Sequence, residues 1–289
     1  MRCLILLMLA LATLLPSLAS GYDVLVLQSN RSPAYEEVLK GYRVAQPASQ
    51  RTIVLADYAR VDLGRILRED NPALILTVGD AAQNAVRTIR DTPVLTVMSL
   101  GINNPKAAYP NQTGISMLVQ PERYMALFQG MKVRRVGVVH DTGKSGWYLS
   151  QARIAARKIG IELVVREVSS PRETIKQLQS MNGKVDALWM LPDTTAVTRE
   201  TSEAFLRFGQ NNAVPVIAFS ASYLGLGAAA ALEIDRVALG EQAAAMTNSI
   251  LSGAKPNESS PVFPRRVTLK SNPAVLNTLK LPVPLSPEL

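Results

Sequence analysis

From Tyr22 onward, short runs of continuous apolar and β-branched residues alternate with stretches in which apolar positions recur every three or four residues. DVLVLQ (23–28), RTIVLA (51–56), ALILTV (73–78) and PVLTVM (93–98) read as strands, and residues 35–44, 63–66 and the stretch after Gly79 read as helices. Apolar strands without an exposed polar face, separated by helices, are the pattern of a parallel sheet covered on both sides. After NQTGISM (111–117) the alternation restarts, with strands RVGVVH (135–140), IELVVR (161–166), DALWML (186–191) and PVIAFS (215–220). Helices are expected between them over 146–159, 171–181 and 195–211.

Two such series of similar length imply two α/β lobes, each a doubly wound parallel sheet. The tail breaks the alternation: AALEID (230–235) reads as a strand, 237–251 as a long helix and RRVTLK (265–270) as a further strand, followed by an Asn272 cap, a short helix to Leu279 and a frayed end. Elements left over after two complete sheets imply that the chain crosses between lobes more than once, as in a hinge. The expected partition is residues 22–117 plus about 236–256 in a first lobe and 118–235 plus about 257–289 in a second.

Composition narrows the chemistry. Arg2, an apolar run from Cys3 to Leu15, Pro16 and small residues to Gly21 have the layout of a secretory leader, expected to end at Ala19. The run is shorter than the roughly 20 apolar residues of a spanning helix. Cys3 is the one cysteine and His140 the one histidine, so a mature chain cut there has no disulfide, thiol nucleophile or multi-histidine zinc site. The net charge of +8 is scattered, with no basic block longer than Arg134-Arg135 or Arg265-Arg266, and aromatics are 5% of residues. That pattern reads as a solvated surface on a monomer, not a nucleic-acid interface.

Candidate catalytic motifs fail on context. GLGAAA (225–230) has dinucleotide-like glycines, yet they precede a strand, and Glu233 and Asp235 follow too soon to meet a ribose. There is no G-x-S-x-G elbow and no P-loop, and neither a cofactor nor a metal is expected. What stands out is position: Asp80, Asp141 and Asp193 each come just past the end of an expected parallel strand, where open α/β sheets bind ligands. VGDAAQNAV (78–86) has a loose counterpart in LPDTTAVT (191–198), as if two rims faced each other. Aspartate is also a favoured helix N-cap, so each carboxylate has a structural reading beside the functional one. Trp147, Tyr148, Phe219 and Tyr223 lie in or near post-strand loops and could clasp a ring-bearing ligand.

The order of segments resembles the extracytoplasmic substrate-binding proteins of ABC transporters, in the group with tryptophan- and tyrosine-binding members, within the type I periplasmic-binding fold. The resemblance is carried by NQTGIS (111–116), RRVGVVHD (134–141), ARIAARKIGIELV (152–164), KVDALWMLPD (184–193) and VPVIAFS (214–220) with Gly227-Ala228. Leu239-Gly240, ILSGAKP (250–256) and VTLKSNPAVLNTLKLPVP (267–284) complete it. It implies two lobes joined by three crossings, closing on a small polar molecule such as an amino acid and delivering it to an inner-membrane permease driven by a separate ATPase, without catalysis. Carried over by position, it implies a first-lobe ligand set of Ser29, Asn30, Ser32, Gly79, Asp80 and Ser99, and a second-lobe set of Asp141, Asp193, Thr194, Phe219 and Ser220, with Asp193 suited to an ammonium group. Two departures stand: GINNPKAAYP (101–110) lacks the family's usual glycine-containing segment, and no lipid-anchor cysteine ends the leader, which implies a free periplasmic protein. The alternative reading is an identical clamshell that presents its closed form to a membrane receptor kinase.

Overall fold

In a computed structural model, which describes residues 21–103, 110–256 and 261–282, the chain forms two sheets. The expected leader, most of GINNPKAAYP and the tail from 283 lie outside the described residues. The first sheet contains β1 (Val24–Gln28), β2 (Gln50–Val54), β3 (Leu74–Val78), β4 (Val94–Val97) and β5 (Gln112–Gly114), all parallel, in the order β2-β1-β3-β4-β5. Strand alternation splits its apolar residues between two faces. Val24, Val26, Leu74, Leu76 and Leu95 face one layer, while Leu25, Leu27, Ile75 and Val94 face the other.

Helices cover both faces. α1 (Pro33–Ala45) lies on the first, and α2 (Leu63–Asp70) and α3 (Asp80–Ala85) lie on the second, through Ile66 and Ala82. α2 is capped by Asp62, whose carboxylate accepts from the Arg65 amide, and ends at Asn71 in the left-handed region.

The second sheet has the order β11-β10-β9-β8-β6-β7, made of β6 (Arg135–His140), β7 (Glu162–Glu167), β8 (Ala187–Trp189), β9 (Val216–Ala218), β10 (Ala230–Ile234) and β11 (Val267–Ser271). Only β11 runs antiparallel. α4 (Pro121–Gly130) and α5 (Thr142–Lys158) close one face over Val136, Val138, Trp189 and Leu232. α6 (Pro171–Gln179) and α7 (Arg199–Asn212) close the other over Val139, Leu188, Met190 and Val216. The two sheets with parallel strands dominant are the architecture expected from the sequence. β5 and α4 were not expected, and α7 starts at Arg199 rather than 195, because Thr195 and Ala196 are drawn into a turn described below.

α8 (Arg236–Leu251) follows β10 yet packs on α1 and the first sheet, through Leu239, Ala243 and Ala244. The contact is close because two glycines permit it. A Cβ on Gly41 would lie 2.0 Å from the Val237 carbonyl oxygen, and one on Gly240 would lie 2.0 Å from that of Val38. Tyr42 donates to Thr247 at 3.1 Å and Gln46 to Asn248 at 2.8 Å, sealing the pair. The chain passes between sheets three times: at 115–120, at Asp235, and at 261–266, where Val262 bridges beside Ile115 while Phe263 packs in the second core. α9 (Pro273–Thr278), capped by Asn272, ends the described fold.

Candidate ligand cleft

The C-terminal ends of both sheets' parallel strands border one cavity of about 310 Å³. Asp80, Leu100 and Gly101 line it from the first lobe, Leu118 from the first crossing, and Gly143 to Ser145, Trp147, Tyr148, Leu191, Pro192 and Thr194 from the second.

On the first rim, β3 ends in Gly79, whose φ of 94° and ψ of 167° an L side chain rarely adopts. Its amide donates to the Val97 carbonyl at 3.0 Å, and a Cβ there would lie 2.4 Å from the Tyr35 hydroxyl and 2.6 Å from Ser29 Oγ. Buried Ser29 donates to the Val78 carbonyl at 3.0 Å and accepts from the Ala82 amide at 2.9 Å, tying β1 to the first turn of α3. Gly79 is the N-cap, and Asp80, one residue in, is exposed. Asp80 Oδ1 accepts from the hydroxyl of buried Ser99, and from the Gly101 amide at 3.2 Å. Ser99 has one proton and is also 2.6 Å from the Gln83 amide, so Gln83 must present its nitrogen there. Asn30 and Ser32 stand on the same rim: Asn30 is exposed and accepts from Gln28 through its carbonyl, and Ser32 is the N-cap of α1.

The second rim is built differently. Asp193 is 1% exposed, and its carboxylate holds four bonds. Oδ1 accepts from the Thr195 and Ala196 amides at 2.9 Å each, and Oδ2 accepts from the Asp141 amide at 2.9 Å and Ser145 Oγ at 2.7 Å. Four bonds fill the lone pairs of a carboxylate. Asp193 therefore clamps the turn after β8 to the start of α5, with no acceptor left for an ammonium group. Asp141 caps α5 through Gly143 at 2.8 Å and accepts from Thr195 Oγ1 at 2.7 Å; that hydroxyl is the main cause of its lowered pKa.

Behind them, Ser145 spends its proton on Asp193, so the bond of 3.2 Å to His140 Nδ1 must be donated by the imidazole. His140 is 2% exposed, its Nε2 is buried without a partner among the described residues, and burial lowers its pKa against the pull of Asp193 and Glu167. Thr194, next to the buried Asp193, is exposed to the cavity. Phe219 packs against Tyr223 with ring centres 5.4 Å apart and borders a small neighbouring hollow with Leu118, Tyr148 and Pro192. Ser220 caps the short 3-10 helix Ala221–Leu226.

Of the eleven residues expected from the sequence, Asp80 and Thr194 line the cavity directly. Ser29, Gly79, Ser99, Asp141 and Asp193 form the layer behind it, by the bonds just given. Leu100, Gly101, Leu118, Lys144, Leu191 and Pro192 line it without having been singled out. The signal for Lys144 was available, since it lies three residues past Asp141 in a helix that starts at a strand end. Tyr148 lines the wall but is fixed: its hydroxyl donates to the Val119 carbonyl at 2.6 Å, and burial raises its pKa.

Two α/β lobes, three crossings and a cavity between strand ends define a type I periplasmic-binding fold. The chain belongs to the ABC transporter substrate binding protein family, whose model matches residues 56–284. A tyrosine-binding protein from Clostridioides difficile strain R20291 is 24% identical over 147 residues, a match covering 50% of this chain and 42% of that protein's length. Among solved structures, a substrate binding protein with adhesive properties from Clostridium difficile, in a ligand-free open form, superimposes with a TM-score of 0.69 at 20% identity, over 91% of this chain and 96% of that one. An ABC domain in complex with L-Trp from Streptococcus pneumonia gives 0.62 at 20% identity, over 92% and 96%. At these identities the superpositions speak to the fold. Members of the family are extracytoplasmic and bind small molecules, and no described helix is long and apolar enough to cross a membrane.

Proposed function

We propose that this chain captures a small polar molecule, an amino acid with a large apolar or aromatic side chain, between its lobes and hands it to an inner-membrane permease. The observation that carries the reading is the cavity itself: it is bordered by both lobes, so a ligand seated there would touch both and favour their closure. Its walls combine apolar surface, from Leu100, Leu118, Trp147, Tyr148 and Leu191, with a nearly equal share of polar surface from Asp80, Lys144, Ser145 and Thr194 and the backbone. Binding of tyrosine by the curated relative and of L-Trp by the solved neighbour supports an aromatic amino acid here. The leader-like segment at residues 1–19 supports release into the periplasm, where the protein acts as a monomer that needs neither cofactor nor nucleic acid.

A thermal-shift screen of the purified protein against the amino acids, nucleosides and small carboxylates tests this. A ligand that binds only the native state raises its melting temperature, by about 2.7 kcal/mol of stabilisation at a hundredfold excess over Kd. The expected result is a shift with tyrosine or tryptophan. A shift with none of the amino acids would overturn the amino-acid reading.

A further inference from the structure

Asp80 and Lys144 are the two charged side chains among the described residues lining the cavity, and they come from opposite lobes. Asp80 is held in place through one oxygen by Ser99 and Gly101, while Oδ2 has no hydrogen-bond partner and the carboxylate no ion pair within 4 Å among the described residues. It is thus a positioned anion with an open acceptor.

Lys144 is exposed, and it too has no ion pair within 4 Å among the described residues. It is the third residue of α5, the end where the helix dipole is positive. A cation there is disfavoured, where a carboxylate would be favoured. Asp141, the cap of the same helix, attracts Lys144 electrostatically but forms no ion pair with it within 4 Å, its oxygens accepting from Gly143 and Thr195. Helix stability therefore does not account for a lysine at this place. A bound anion would.

We infer that Lys144 is a specificity-determining residue that binds the carboxylate of the ligand, so that a zwitterion is held with fixed polarity: ammonium on Asp80 in the first lobe, carboxylate on Lys144 in the second. The inference rests on the amino-acid reading and adds to it a direction and a contact. Each charge of the ligand engages one lobe, so a compound lacking either charge secures only half of the clamshell. Both charges sit at the α-carbon, and the apolar side chain extends from it along Trp147, Leu118 and Leu191.

Calorimetric titration of the full chain with tyrosine, tyramine and 3-(4-hydroxyphenyl)propionate, and with the three corresponding indole compounds, tests it. The wild-type protein should bind the amino acid at least tenfold tighter than either analogue. Lys144→Gln should weaken the amino acid tenfold or more while leaving the amine unchanged, collapsing their ratio toward one, and Lys144→Arg should preserve it. Asp80→Asn should collapse the ratio of amino acid to carboxylate analogue instead. Lys144 is exposed, so an unchanged melting temperature will show that each variant is folded. If wild type binds the amino acid and Lys144→Gln keeps its full preference over the amine, the inference is overturned while the amino-acid reading stands. If wild type binds no amino acid, both fall together.

Discussion

The turns after β3 and β8 carry the same short theme, an aspartate just past a strand end, and put it to opposite uses. Asp80 is exposed, engages its neighbours through one oxygen, and follows a glycine whose backbone conformation and crowding leave no room for a side chain. Asp193 follows a proline, is buried, and fills all four acceptor sites from two segments of its own lobe. The difference teaches that an aspartate at a strand end is not a ligand contact by position alone. What separates the two roles is whether the protein's own donors have already used the lone pairs.

The sharpest way to break this contrast is at the clamp. Asp193→Ala strips bonds from three buried or half-buried amides and Ser145, and should lower stability by about 4 kcal/mol in urea denaturation. A loss under about 1 kcal/mol would remove the scaffold role. Next in size is Gly79→Ala, which meets both a positive φ and the Tyr35 hydroxyl and should cost about 2 kcal/mol. Adding Tyr35→Phe should recover part of it, and no recovery would assign the cost to the backbone and the remaining contacts with Ser29 and the Tyr35 ring.

A smaller effect is the pH dependence of the second rim. His140 has a lowered pKa, so between its depressed folded value and the ordinary 6.5 the unfolded chain binds the extra proton. Stability from this group is complete above pH 6.5 and declines as pH falls below it. His140→Gln should flatten that upper window of a melting-temperature profile. Asp141, also lowered, contributes stability that is present above the ordinary 3.8 and lost as pH falls through its folded value, so its window is separate. The smallest expected change in stability belongs to Asp80→Asn, within about 0.5 kcal/mol, since its exposed carboxylate supports little of the fold. A cost as large as that at Asp193 would erase the distinction between the turns.

Much of the framework was legible because β-branched runs with two buried faces leave no alternative to a central parallel strand, as with 135–140, which matches β6 residue for residue. β5 escaped notice because QTG has neither alternation nor an apolar run; it is a strand by virtue of pairing with β4 and lying beside Val262. At the site, position along the chain indicated which loops border the cavity. It did not indicate orientation: Asp193 is turned inward by the Thr195 and Ala196 amides, and Asp141 is held by the Thr195 hydroxyl, all in a turn that sequence assigned to a helix. Lys144 was passed over because a lone lysine on an amphipathic helix ordinarily means solvent.

The glycine-mediated seam between α1 and α8 bears on the order in which the molecule can be completed. Tyr42 and Thr247 are 205 positions apart, and residues 236–251 supply a layer over a sheet whose last strand ends at Gly114. A chain emerging amino end first can pair those five strands early, but the face under α1 stays only half covered until β6 to β10 of the second lobe have been made. The lobe begun first thus waits for a helix encoded after most of the second, and a truncation before 236 would leave its sheet half covered and adhesive rather than a smaller binding protein.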